Sequence, residues 1–268
     1  MTMVNPSQLF QSDLRRLSKP LSEGLRVRHI AHFGLAVCSG KGDQEKVLSL
    51  RKFAAYDHIP IRESGKIVAI LERNNGNGES VRRALDEDVL ISADEPLANF
   101  IHTVRKQPYR LVLDGARIEG IVTRSDLLKV PVLLLGYSLL SQLELLANRA
   151  IDIKYNGSDE WLSELERLEG EQAKKIATRK RKAASENLFL PAIELADLVD
   201  KLRVIRDFLP EGCEFEAELR ELVRFRNAVD HVRPLIPSNA HLDQFVRRLE
   251  IVTTWTVAIE QKIGRHGG

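Results

Sequence analysis

The sequence predicts an α+β chain of two domains: an α/β unit over residues 1–130 and an all-α bundle over residues 131–268. Three observations carry this. At 268 residues the chain exceeds what one typical core needs. Short apolar runs separated by Gly-containing turns continue up to Lys129 and then stop. Beyond Lys129 the apolar residues recur at three- and four-residue steps between prolines and glycines, the pattern of packed helices. With 43% hydrophobic and 29% charged residues, the chain has the material for real cores, which excludes global disorder.

Other classes are excluded by small counts. The net charge of +2 does not announce a nucleic-acid binder, so any basic surface must be local. Cys38 and Cys213 form no CxxC pair and have no His cluster nearby, which suggests neither a disulfide framework nor a zinc site and fits a reducing cytoplasm. Met1 to Arg16 contains Asp13, Arg15 and Arg16 and no apolar core of signal-peptide length. The most apolar stretch, Val130 to Leu140, is too short to cross a bilayer and reads as a buried helix, so no membrane partner is expected.

In the first half one pattern occurs twice. Asp43 to Ala54 reads as a helix, followed by the strand His58–Ile61, a turn over residues 63–66 and the strand Ile67–Leu71. Glu95 to Arg105 reads as a helix, followed by Tyr109–Leu113, an Asp114-Gly115 turn and Gly120–Val122. Asp-Gly between apolar runs is a strong hairpin signal, because both central positions of the tight turn need positive φ.

The second copy ends Gly120-Ile-Val-Thr-Arg-Ser-Asp-Leu-Leu-Lys129, which resembles the close of a CBS domain, the cystathionine-β-synthase-type nucleotide sensor. The resemblance implies Thr123 near a phosphate or ribose and Asp126 accepting from ribose hydroxyls, with an adenine nucleotide as a regulatory ligand. The helix N-terminus that follows would offer unpaired N–H groups to an anion. The alternative is that Thr123 and Asp126 only cap the helix. The first copy departs here: Glu72 and Asn75 stand where Thr and Asp are expected, and a carboxylate at Glu72 would repel a phosphate. At most one cleft of the pair then suits a nucleotide, and the pair could instead serve as a dimerising scaffold.

The second half predicts five helices, over residues 130–150 with a kink near Gly136, 158–186 capped by Ser158, 192–209, 214–232 and 240–263 capped near Asn239. Within the second of these, Lys174 to Lys182 carries six basic residues and no acid, a run that could track a phosphate backbone. The acids Glu164, Glu166, Glu169 and Glu171 just before it favour a solvated face whose charge suits the helix dipole. Tyr155, Trp161 and Trp255 could stack on bases but have the spacing of core residues.

The fourth helix closes in Arg226-Asn227-Ala-Val-Asp-His231, with Arg226 beside the apolar stripe of Leu222, Phe225 and Val229 and with Pro234 ending the run. An Arg and a His at this spacing, with a polar residue directly after the Arg, in an all-helical domain, resemble the HEPN superfamily, many of whose members are metal-independent ribonucleases. The resemblance implies a homodimer in which Arg226, Asn227 and His231 of each subunit build one composite site. It implies no metal and no catalytic cofactor, with single-stranded RNA or tRNA as substrate; defence and stress-response roles are common among such proteins. The chemistry suits these residue types: imidazole exchanges protons near neutral pH, and a guanidinium stabilises charge on a phosphate. The same spacing in Arg26 with His32 and Arg51 with His58 lacks the polar neighbour and the helical frame. The competing reading pairs Arg226 with Asp230 as an ordinary i,i+4 ion pair and lets His231 cap the helix C-terminus. On that reading the chain is a non-catalytic regulatory protein whose helical half docks a partner protein.

Overall fold

The computed structural model describes residues 22–39, 53, 56–73, 80–188, 190–230 and 241–266. Most of the expected helix 43–54, Asn75, His231 and Asn239 therefore lie outside the described residues. Contacts divide the chain at the end of the sheet region into a unit Leu25–Pro131 and a helical unit from Val132 onward.

Among the described residues the sheet unit has eight strands: β1 His32–Phe33, β2 Cys38–Ser39, β3 His58–Glu63, β4 Lys66–Arg73, β5 Ser80–Ala84, β6 Leu90–Ser92, β7 Tyr109–Asp114 and β8 Arg117–Thr123. They form two four-stranded sheets, in the orders β1-β8-β7-β6 and β2-β3-β4-β5. The two copies repeat the same pairing. In each, a short strand runs parallel to the first arm of a hairpin (β2 to β3, β6 to β7), and each hairpin has one register shift, after Ile61 and after Val112. Gly65 and Gly115 sit at the hairpin tips with φ of 82° and 60°, values L side chains avoid. The edge strands are exchanged: β1, which precedes the first copy, pairs with β8 of the second, and β5, which precedes the second, pairs with β4 of the first. Ile70 on β4 packs with Tyr109 and Leu111 on β7 and with Val89, so one core joins the two sheets. Helix α1, Leu97–Thr103, lies between β6 and β7 and buries Leu97, Phe100 and Ile101.

The helical unit contains α2 Val130–Lys154, α3 Trp161–Ser185, α4 Leu198–Val204, α5 Phe215–Asp230 and α6 Leu242–His266. Helix α2 runs past Gly136 as one element of 25 residues. Gly136 serves close approach instead of a kink: a Cβ there would stand 2.9 Å from Phe225 Cζ and 3.2 Å from Val229 Cγ2, so its absence lets α5 seat on α2. At this length, with mean hydropathy 1.6 over its most apolar 18 residues, α2 is long and apolar enough to cross a membrane, unlike the shorter stretch read from sequence; 44% of that window is buried inside the protein. Helix α3 starts at Trp161, where Ser158 accepts from the Glu160 N–H at 3.4 Å, and Glu169 breaks its regularity with φ −147° and ψ 66°. The single helix expected over 192–209 is three pieces, a 3-10 turn at 192–195, α4, and a 3-10 turn at 206–208. The reason is burial on more than one side: Ile193, Ala196, Leu198, Leu202, Ile205, Phe208 and Leu209 are all buried, which no straight amphipathic helix achieves.

Helices α5 and α6 form the core of the bundle. Phe225 meets Phe245 edge to face at 6.0 Å, and Phe215 stacks on Trp255 at 5.8 Å while the Trp255 indole donates to Glu218 at 2.8 Å. Arg248 donates to Glu221 at 3.0 Å in a largely buried pair. Burial pushes the Glu221 carboxyl up, but the hydrogen bonds from Arg248 and Arg224 outweigh it and hold the group below the usual carboxylate range.

Candidate functional site

In the second copy of the repeat, β8 ends at Thr123 and the chain turns into a 3-10 segment, Arg124–Leu128. Thr123 and Asp126 cap it reciprocally: Asp126 Oδ2 accepts from the Thr123 N–H at 2.7 Å, and the Thr123 hydroxyl accepts from the Asp126 N–H. The Thr123 hydroxyl also lies 3.1 Å from Asp126 Oδ2 and 2.9 Å from Ser125 Oγ. Asp126 is 2% exposed, and its Oδ1 stands 2.9 Å from both Lys129 Nζ and His32 Nε2. Lys129 is held in place by the Ile30 carbonyl. The carboxylate thus has four polar partners, of which His32 is well exposed.

The register shows what the first copy has instead. His58 faces Glu72 across the β3–β4 hairpin as Tyr109 faces Thr123 across β7–β8, so Glu72 occupies the Thr123 position. The two facing residues meet each other as well, with the His58 and Tyr109 rings 4.1 Å apart. The Tyr109 hydroxyl donates to Glu72, and Arg83 stands 3.7 Å from the same carboxylate while donating to Gln107 and Asp86, each at 3.2 Å. Burial, then the bond to Glu72, pushes the Tyr109 hydroxyl far above its usual range. Burial also pushes the His58 imidazole below its usual value, although Glu72 and Asp57 oppose the shift. This position is therefore filled from within by a carboxylate whose partners are its own neighbours.

In the helical unit, Arg226 and Asn227 stand on the last turn of α5. Arg226 is about a third exposed and Asn227 is exposed. Arg226 Nε is 3.5 Å from Asp230 Oδ2, and its terminal nitrogens have no partner among the described residues. Its guanidinium lies on the wall shared by two clefts, one against α2 and α4 and one against α3 and α4. The helix reaches this point because Leu219, Leu222, Phe225 and Val229 bury one face, leaving Arg226 at its border. His231 follows directly and lies outside the described residues. The basic run is largely tied up on the surface: Arg179 donates to the Leu195 carbonyl at 2.8 Å, and Lys180 pairs with Asp159 at 2.8 Å. Trp161 and Trp255 are buried in the core.

Two polar residues in this region escaped the sequence reading. Lys201, 2% exposed, donates to Glu144 at 2.7 Å, and Asn148 is 5% exposed. The signal was present: Lys201 follows Leu198 by three and precedes Ile205 by four, and Asn148 lies between Leu145 and Ile151, so each polar residue interrupts an apolar stripe.

No match to the chain was found among curated proteins. Residues 81–132 match the CBS domain family. The match spans β5 to the start of α2 and includes the whole second copy with its Thr123–Asp126 cap. The second half of the sheet unit is therefore a CBS domain, a regulatory nucleotide-sensing module.

Proposed function

We propose that the chain is a metal-independent endoribonuclease of HEPN type, active as a homodimer and regulated by an adenine nucleotide held in a CBS pair. The observation that supports it best is the placement of Arg226: a guanidinium whose terminal nitrogens have no partner among the described residues, beside exposed Asn227, between two clefts on the last turn of α5, directly before His231 in the sequence. In this reading His231 takes the proton from the RNA 2′-hydroxyl, a new O2′–P bond forms, the P–O5′ bond breaks, and an imidazolium returns a proton to the leaving oxygen. Arg226 binds the phosphate oxygens as negative charge grows on them, and the exposed Asn227 amide helps to position the strand. The substrate is single-stranded RNA or a tRNA loop, whose backbone can bend in line for attack.

The nucleotide belongs to the second copy, where Thr123 supplies a hydroxyl and Asp126 a carboxylate. It would have to draw Asp126 away from Lys129 or His32, so its binding changes contacts inside the module. A regulatory effect follows only from tighter binding to one arrangement of the dimer than to the other.

An RNA degradation assay tests the proposal: cleavage by the full chain, lost in both Arg226→Ala and His231→Ala, supports it, and activity indifferent to both overturns it. The Arg226–Asp230 pair and the self-satisfied Asp126 favour a second reading, a non-catalytic regulatory protein whose helical half docks a partner. That reading wins if the protein binds an adenine nucleotide and never cleaves RNA.

A further inference from the structure

The basic run of α3 has no part in the proposed chemistry, and three of the four acids that precede it are engaged elsewhere. Glu164 pairs with Arg167, Glu169 with Arg203, and Glu171 with Lys174 at 3.4 Å. Beside the ties of Lys174, Arg179 and Lys180, three cations of the run remain. Lys175, Arg181 and Lys182 are exposed and have no acidic partner among the described residues.

The helical face decides which of these act together. Glu169 breaks α3, and Lys180 beyond the break meets Asp159 ahead of the helix, so the two arms fold back on each other. In the second arm Ile176 and Ala183 are buried. Lys175 and Lys182 are seven residues apart, which is two turns and about 10 Å along the axis, and they point within roughly 20° of each other. They share a flank with Gln172 and Arg179, which follow and precede them at steps of three and four residues. Lys180 and Arg181 point away from this flank by about 100° or more.

The flank continues into the cleft at Arg226. Gln172 lines that cleft together with Asp197, Arg226 and Asn227. Its acids leave room for a phosphate: Arg179 stands 3.8 Å from Asp197, and burial, with Asp197 beside it, pushes the Asp200 carboxyl above its usual range. A strand with one phosphate on Arg226 passes Gln172, meets Lys175 one turn further on, and meets Lys182 two turns beyond that. Ammonium groups on long flexible stems suit a backbone of repeated charges and carry no sequence information.

We infer that the Lys175–Lys182 flank of α3 is a track for the RNA backbone, which holds the phosphates that neighbour the one seated at Arg226. The identity of the polyanion rests on the ribonuclease reading. The track adds affinity without base preference.

The test uses the full chain and a fluorescent 2′-O-methyl dodecanucleotide of mixed sequence, which binds as RNA but lacks the free nucleophile. Anisotropy gives its affinity over a series of salt concentrations. Each single-strand phosphate contact contributes about 0.7 to the slope of log affinity against log salt, so Lys175→Gln with Lys182→Gln should lower the slope by about 1.4 and the affinity at 0.1 M salt by about 25-fold. Lys180→Gln with Arg181→Gln removes the same charge from other sides of the helix and should lose far less. No binding by the wild type, an unchanged slope in the first double variant, or equal losses in the two overturns the inference. So does binding of phosphatidylserine vesicles, and not of the oligonucleotide, through the same two lysines. The two claims separate cleanly. Binding that needs Lys175 and Lys182 in a protein that leaves unmodified RNA intact removes the ribonuclease and keeps the track. Cleavage that needs Arg226, with binding indifferent to the two lysines, does the reverse.

Discussion

Asp126 in the sheet unit and Arg226 in the helical unit are charged residues at the ends of their elements, and they are built oppositely. Asp126 is 2% exposed and has four polar partners, all supplied by its own domain. Arg226 is about a third exposed, touches one carboxylate at 3.5 Å, and borders two clefts. A buried, fully bonded carboxylate holds structure together and yields to a ligand only if the ligand replaces those bonds. A partly exposed guanidinium whose terminal nitrogens have no partner among the described residues contributes little to stability and suits the binding of a phosphate. The contrast fits the proposed division of labour, with regulation in the first unit and chemistry in the second.

The largest effect should fall on Arg226. Arg226→Ala is expected to lower RNA cleavage by at least about 100-fold while the urea midpoint stays within experimental error of the wild type, because only an exposed ion pair is lost. A matching loss of stability would make Arg226 a structural residue. Asp126→Ala should behave in the opposite sense, destabilising the sheet unit by about 2–3 kcal/mol, since the Thr123 N–H and Lys129 lose their shared acceptor. Thermal or urea unfolding checks this, and an unchanged midpoint would mean that the capping box adds nothing.

Gly136→Ala probes the helical unit without touching the site. The added methyl meets Phe225 and Val229, and overpacking of this kind costs about 1–3 kcal/mol. The shift of α5 should also reduce cleavage, measured beside the unfolding midpoint; full activity at reduced stability would show that the last turn of α5 is positioned by other contacts. The smallest effect belongs to the pair of rings where the two copies meet. Burial lowers the His58 pKa, so the contribution of neutral His58 to stability is complete above the unfolded histidine value and is lost as the pH falls through the folded one. Acidification from pH 8 to pH 5 should therefore weaken the wild type more than His58→Leu, as unfolding midpoints at the two pH values would show. Equal losses in the two proteins would remove His58 from the account.

Much of this contrast was legible in the sequence. The Asp114-Gly115 turn, the repeated hairpins and the Thr123–Asp126 ending could be read because turns and caps are set by local chemistry. The apolar stripe of α5 fixed the helix and the place of Arg226 on it. The break of 192–209 into three pieces was not legible, because burial from several sides overrode the helical period. Gly136 misled for a related reason: glycine in a helix reads as weakness, whereas here it admits Phe225 from another helix. The ring contact of His58 with Tyr109, and the hydrogen bond from Tyr109 that fills the first copy at Glu72, depend on how two sheets pack, which no local pattern records.

The central claim, that the helical unit turns the 2′-hydroxyl of RNA against its own backbone, is tested most directly by the chemistry of the cut ends. Mass spectrometry of a single-stranded RNA incubated with the full chain in the presence of a metal chelator should show a 2′,3′-cyclic phosphate on one fragment and a free 5′-hydroxyl on the other. Intact RNA, or fragments that end in a 5′-phosphate, would contradict it.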